Sequence, residues 1–178
     1  ICEGSTKTLA GSPSGGTWSE NGSGTISGTT YSTGNISANE TVTVTYTIAT
    51  NGSCSGSSAA KAFTVYYNPG AASNTTSTAS ICEGTTKALA GSPSGGTWTE
   101  NGSGSISGTT YSTGNISSNE TVTVTYTIAA NGSCASTSSS RAFKVYYNPG
   151  TASNTTSTAS ICEGSTKTLA GSPSGGTW

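Results

Sequence analysis

The segment Ile-Cys-Glu-Gly stands at Ile1, Ile81 and Ile161, which sets a period of 80 residues. Residues 1–80 and 81–160 agree at 66 of 80 positions, and residues 161–178 repeat residues 1–18 without a change. A fixed period defines the structural unit before any other signal does. A period of 80 residues is too long for a solenoid turn or a propeller blade. It suits a small β domain strung in tandem.

Composition decides whether such a unit is ordered. Ser, Thr and Gly make up 94 of the 178 residues, a bias that also occurs in disordered stalks. Disorder usually carries high net charge, whereas the charge here is −1, and Trp, Tyr and regular β patterns are present. The same composition excludes several functions. His and Asp are absent, so His/Cys zinc sites and Asp-rich calcium loops cannot be built. Six basic residues cannot form a stripe of phosphate contacts, so no nucleic-acid partner is expected. No run of ~18 apolar residues is present to span a membrane as a helix. We expect no catalytic centre, no metal and no cofactor.

Asn68-Pro69-Gly70, recurring as Asn148-Pro149-Gly150, is the strongest punctuation, because Pro ends ladder pairing and Gly permits a sharp bend. It predicts domains at 1–68, 69–148 and 149–178. The first would lack its opening strand, the second would be complete, and the last would be the start of a third. The chain then reads as an excerpt of a longer protein, which also accounts for the lack of a targeting segment.

Thr41 to Ile48 alternates without a break, with Val42, Val44, Tyr46 and Ile48 on one face and threonines on the other. That is the pattern of a half-buried antiparallel strand. Lys61 to Tyr67 predicts a second, with Phe63, Val65 and Tyr67 inward. Weaker strands are expected around Leu9, Trp18, Ile26 and Tyr31. Turns are expected at Ser14–Gly16, Asn21–Gly24, Thr33–Asn35 and Asn51–Ser53. Turn signals at this spacing predict a sandwich of about seven short strands. Large apolar side chains are few, so a covalent staple would matter.

Cys2 and Cys54 lie 52 residues apart, as do Cys82 and Cys134, and Cys162 has no counterpart within the chain. The expected bridges are Cys2–Cys54 and Cys82–Cys134, one per domain. Two alternatives stay open: Cys54–Cys82 joining neighbouring domains, and buried free thiols. Disulfides imply an oxidising, extracytoplasmic compartment.

Read in order, the unit shows Cys-Glu-Gly, a Leu-bearing strand, Ser-Gly-Gly-Thr-Trp, a Thr/Val/Tyr strand, Asn-Gly-Ser-Cys and Val-Tyr-Tyr-Asn-Pro. This order resembles the Ig-like and PKD-like repeats of giant surface adhesins of Bacteroidota, including the gliding-adhesin type. The resemblance covers nearly all of each 80-residue unit. It implies tandem Ig-like antiparallel β-sandwich domains, export by the type IX system, a cell-surface location and a place in a stalk or filament. The cysteine pair matches positions that such repeats often bridge. These units are, however, far more alike than typical neighbouring repeats.

Other constellations have ordinary structural explanations beside the functional ones. The threonine row Thr41, Thr43, Thr45 and Thr47 could be an ice- or polysaccharide-binding ladder, but one row per unit is an ordinary solvent face. Asn21, Asn35, Asn39, Asn51 and Asn74 sit in Asn-x-Ser/Thr sequons and equally suit turns. Lys7, Lys87 and Lys167 suggest Lys–Asn isopeptide bonds assisted by Glu3, Glu20 or Glu40, or are simply solvated. Glu20 and Glu40 could form a glycosidase pair, but carboxylates repeated in every unit fit surface decoration better. Trp18 and Trp98 could stack on sugars or fill the core.

The expected function is a rigid spacer segment of an extracellular adhesin, stalk or filament, whose partners are neighbouring repeats of the same chain. The alternatives are a filament subunit that exchanges strands with identical chains, and a glycan- or partner-binding Ig-like module.

Overall fold

The structure is a computed structural model that describes residues 1–178. All regular elements are strands. The first repeat contains β1 (Thr6–Thr8), β2 (Thr17–Glu20), β3 (Thr25–Ser27), β4 (Thr30–Ser32), β5 (Glu40–Ile48) and β6 (Ser57–Val65). The linker region and second repeat contain β7 (Ser73–Asn74), β8 (Ile81–Cys82), β9 (Thr86–Ala88), β10 (Gly91–Ser92), β11 (Thr97–Glu100), β12 (Ser105–Ser107), β13 (Thr110–Ser112), β14 (Glu120–Ile128) and β15 (Thr137–Tyr146). β16 (Ser153–Asn154) and β17 (Gly171–Ser172) follow. Two compact units form: Ile1–Thr76 with Ala90–Thr99 and Val124–Arg141, and Ser77–Leu89 with Glu100–Thr123 and Ala142–Trp178.

In the first unit, two antiparallel three-stranded sheets, β1-β4-β3 and β2-β5-β6, face a shared core. The alternating segment becomes β5, and its inward residues Val42 and Val44 are buried with Leu9, Tyr31 and Val65. Tyr31 and Phe63 meet edge-on across the two sheets, with centroids 5.3 Å apart. Trp18 packs at the core edge against Tyr46 at 4.7 Å, the core-filling role expected of it. β6 begins at Ser57, four residues before the predicted start. Its Ser57–Ala60 stretch has weak strand propensity, but Ile48 to Thr45 offer backbone partners across the ladder. Pairing overrides propensity there. Tyr67 lies outside the strand.

The second unit repeats the smaller sheet as β12-β13-β9 and buries Leu89, Tyr111, Val122, Phe143 and Val145. β8 runs parallel to the end of β15, pairing Ile81 with Val145 and Cys82 with Tyr146.

The cysteine pairing differs from expectation. One bridge forms, Cys2–Cys134, spanning 132 residues, while Cys54, Cys82 and Cys162 are exposed free thiols. The expected Cys2–Cys54 and Cys82–Cys134 pairs and the alternative Cys54–Cys82 pair do not form. The reason is the β5–β6 hairpin. Cys2 bridges in parallel to Tyr66, just beyond the end of β6, whereas Cys54 sits in the turn at its beginning. At about 3.3 Å per residue, Ser57 to Tyr66 spans about 30 Å. A disulfide requires Cα atoms within about 7 Å. Cys82 likewise pairs with Tyr146 at the far end of β15, and Cys134 precedes its near end. Each repeat therefore carries its two cysteines at opposite ends.

Candidate functional site

The Cys2–Cys134 bridge sits in a polar, preorganised junction between the first repeat and the turn of the second. One half is Ile-Cys-Glu-Gly. Its backbone adds to the end of β6 through Tyr66 N donating to Ile1 O at 2.8 Å and Glu3 N donating to Tyr66 O at 2.9 Å. The Glu3 carboxylate accepts from Asn68 N and from Ile36 N, each at 3.0 Å. These two amides, Asn68 first, hold its pKa below the ordinary carboxyl value. Glu3 thus ties the start of the Asn-Pro-Gly linker to the body of the repeat.

The other half is the turn Asn131–Cys134, closed by Asn131 N donating to Cys134 O at 3.0 Å and Cys134 N donating to Asn131 O at 2.9 Å. Gly132 adopts φ of +54° against the ring of Tyr66, and a Cβ there would overlap the ring. No side chain fits, and the positive φ also favours glycine. Asn131 Nδ2 donates to Tyr67 O and to Asn39 Oδ1, both at 2.8 Å. Asn39 Nδ2 returns a bond to Asn131 Oδ1 at 3.3 Å, while Asn39 Oδ1 also accepts from Tyr67 N at 2.9 Å. The linker is held from the same side: Ala72 N donates to Thr137 Oγ1 at 2.8 Å. Two residues on, Asn74 is buried, with Nδ2 donating to Val124 O at 2.9 Å and Oδ1 accepting from Thr76 N at 3.0 Å. Covalent, apolar and hydrogen-bonding contacts converge on one small area, and Glu3 supplies its charge. Cys134 is 2% exposed, whereas Cys2 is half-buried.

Several of the remaining sequence candidates have structural employment. Asn21 Oδ1 accepts from Thr43 N at 2.7 Å, and Asn101 does the same for Thr123. With Asn39 and Asn74, these sequon asparagines commit their carboxamides to the fold. Glu20 accepts from Gly22 N, and Glu40 accepts from the backbone and hydroxyl of Ser23, so both carboxylates clamp the Asn21–Gly24 turn. Beneath the equivalent turn, burial first and then Glu120 push the Tyr111 phenol up to about 12. Lys87 is buried. Its amine donates to Ala79 O at 2.5 Å and lies 4.7 Å from the Phe143 centroid, and burial lowers its pKa. Lys7 faces Phe63 in the same way at 5.2 Å.

Sequence reasoning misses Asn39, Tyr66, Tyr67, Asn131 and Gly132 as junction residues. The Asn-Gly-Ser-Cys segment is visible as a turn, and its position beyond a long alternating strand places its cysteine at the end of a hairpin. That is the available signal.

No family model matches the chain, and no curated protein sequence matches it. Among solved structures, the chain is similar to the crystal structure of the titin domains Z1Z2 in complex with telethonin. The identity is 14%, the match covers 83% of this chain and 91% of that one, and the TM-score is 0.31. At that score the likeness adds nothing to the architecture read from the strands themselves.

Proposed function

We propose that this chain is a spacer segment of an extracellular surface adhesin, stalk or filament. It is built of tandem Ig-like sandwiches of about 80 residues and is not an enzyme. The observation that carries this reading is the Cys2–Cys134 bridge between successive repeats. A bridge inside one domain staples that domain. A bridge between repeats also restricts bending at the linker and offers tension a second covalent route around Asn68–Ala72. Disulfide formation fits an oxidising, extracellular setting. Sparse charge and abundant hydroxyls suit a surface that stays soluble and holds few partners beyond its own neighbouring repeats.

Small-angle scattering on the oxidised and the reduced chain tests the proposal. A spacer gives an elongated profile in the oxidised state and a broader distribution of conformations once the bridge is reduced. A profile indifferent to reduction, or saturable binding of glycans by the oxidised chain, rejects it.

A further inference from the structure

Two carboxylates in each repeat face one turn, and a buried phenol lies beneath them. In the first repeat Glu20 ends β2, Glu40 begins β5, and Tyr31 is the central residue of β4. Glu20 pairs with Val44, and Glu40 stands two residues before Val42, so both carboxylates project on the core side of their sheet. Both are half-buried at its edge. Glu20 accepts from Gly22 N, and Glu40 accepts from Ser23 N and Ser23 Oγ. None of these partners is a cation, so two negative charges share the turn without a counter-charge. The Tyr31 hydroxyl is buried and has no hydrogen-bond partner, and the residue is 0% exposed. It is aimed at the same turn. A Cβ on Gly24 would stand 2.5 Å from it, and a Cβ on Gly22 would stand 3.2 Å from Glu40 Oε1.

The second repeat builds the same arrangement from Glu100 of β11, Glu120 of β14 and Tyr111 of β13. Glu100 accepts from Gly102 N, and Glu120 accepts from Ser103 N and Ser103 Oγ. The Tyr111 hydroxyl is again buried without a partner. A Cβ on Gly102 would stand 3.1 Å from Glu120 Oε1 and 3.3 Å from Tyr111 Oη, so the two oxygens converge on one point. Each copy is complete within 21 residues of sequence, Glu20 to Glu40 and Glu100 to Glu120.

We propose that Glu20, Glu40 and Tyr31, and equally Glu100, Glu120 and Tyr111, bind a calcium ion at the turn. All the donors are hard oxygens, and calcium takes carboxylates together with neutral oxygens in irregular geometry, whereas magnesium demands a near-ideal octahedron. Each carboxylate keeps lone pairs beyond those given to the amides, and the phenol oxygen has both of its own unused. A cation supplies the charge that the two carboxylates lack and the partner that the hydroxyl lacks. The carboxylates already act on the phenol: after burial, Glu40 and then Glu20 raise the Tyr31 pKa. The lack of Asp excludes the familiar Asp-rich loop but not this site, whose donors come from three separate strands. Two carboxylates per ion place the affinity in the weak range of extracellular modules, about 0.1–1 mM.

Titration calorimetry of the full chain with calcium chloride tests the proposal, with sodium chloride of equal ionic strength as the control. The expected result is saturable binding of one ion per repeat. At ~10 mM calcium, each ion should then raise the folding equilibrium constant of its repeat about 10- to 100-fold, read from urea unfolding. Glu40→Gln with Glu120→Gln should abolish both effects while keeping an oxygen to accept from the turn, and circular dichroism checks that the strands remain. Tyr31→Phe with Tyr111→Phe removes only the unpartnered hydroxyls and spares the fold. It should weaken binding about tenfold, the low end for a residue that supports a metal site. The phenylalanine pair decides the matter if the glutamine pair fails to fold. No saturable calcium binding, binding that survives the glutamine substitutions, or parental affinity in the phenylalanine variant overturns the proposal. The site rests on the turn alone. A chain that ignores calcium but whose scattering still responds to reduction would therefore sink it and leave the spacer reading intact.

Discussion

Two tyrosines of the first repeat show how burial and bonding separate at the level of one atom. The Tyr31 hydroxyl is buried without a hydrogen-bond partner, and Tyr111 repeats this in the second. The Tyr46 hydroxyl accepts from Gly16 N at 2.9 Å and donates to Pro13 O at 2.7 Å. A bonded hydroxyl contributes roughly 0.5–1.5 kcal/mol per bond, whereas an unsatisfied buried one is a liability. Tyr46→Phe should therefore destabilise the chain by about 1–2 kcal/mol, and Tyr31→Phe should leave stability unchanged or raised. Urea unfolding of the two variants checks both signs. The Tyr111 phenol adds a pH signature, because its folded pKa of about 12 lies above the ordinary value of 10.0. The unfolded chain ionises first. Stability from this group is full below about pH 10 and is lost as the pH rises through about 12. Tyr111→Phe should flatten that alkaline decline, as read from unfolding midpoints across the range. Glu3 has the opposite sign. Asn68 and Ile36 amides depress its pKa, so its contribution is present above the ordinary carboxyl range and fades as pH falls through the lower folded value. Glu3→Gln should remove that part of the acid sensitivity.

At the scale of elements, some strands are legible in the sequence and others are not, for identifiable reasons. β5 declares itself through Val42, Val44 and the intervening threonines, because a sheet with one buried face imposes a period of two. The start of β6 is hidden. Ser57 to Ala60 carry no strand signal and are recruited by their partner across the ladder. The cysteine pairing escapes the sequence for a related reason. Equal spacing of 52 residues says that two cysteines recur together, not that they lie at the same end of a hairpin. Direction along β6 decides that, and it puts Cys2 and Cys54 at opposite ends. The turn that carries the second cysteine offers an internally controlled test. Gly52 and Gly132 occupy the same turn with φ of +61° and +54°, but only Gly132 lies against a ring, that of Tyr66. Alanine at either position incurs the left-handed backbone penalty of about 1–2 kcal/mol. Gly132→Ala must in addition push Tyr66 aside. It should be the more destabilising by at least about 1 kcal/mol in urea unfolding of the oxidised chain. Equal effects at the two glycines would mean that the Tyr66 contact contributes nothing.

For the whole molecule, the outcome turns on where the covalent constraint lies. A Cys2–Cys134 bridge cross-links positions 132 residues apart, so it restricts most of the unfolded chain. In the chain-entropy model, a loop of that length stabilises by about 5 kcal/mol, against about 4 kcal/mol for a bridge inside one repeat. Those magnitudes are too close to discriminate between pairings. The pattern across variants does discriminate. Cys2→Ser and Cys134→Ser should each lower stability as much as full reduction does, and they should agree with each other although they lie in different repeats. Cys54→Ser and Cys82→Ser should change nothing in the monomer, since both thiols are free. Bridges confined to single repeats require the reverse grouping, with Cys2 matching Cys54 and Cys82 matching Cys134. Urea unfolding of the four single variants, with and without a phosphine reductant, separates the two groupings. A non-reduced digest that yields the Cys2–Cys134 peptide identifies the bond directly. If the first grouping holds, successive repeats are coupled in stability as well as in sequence. Destabilising the core of the second repeat, for instance with Val122→Ala, should then lower the unfolding midpoint of the first in the oxidised chain and leave it unchanged after reduction.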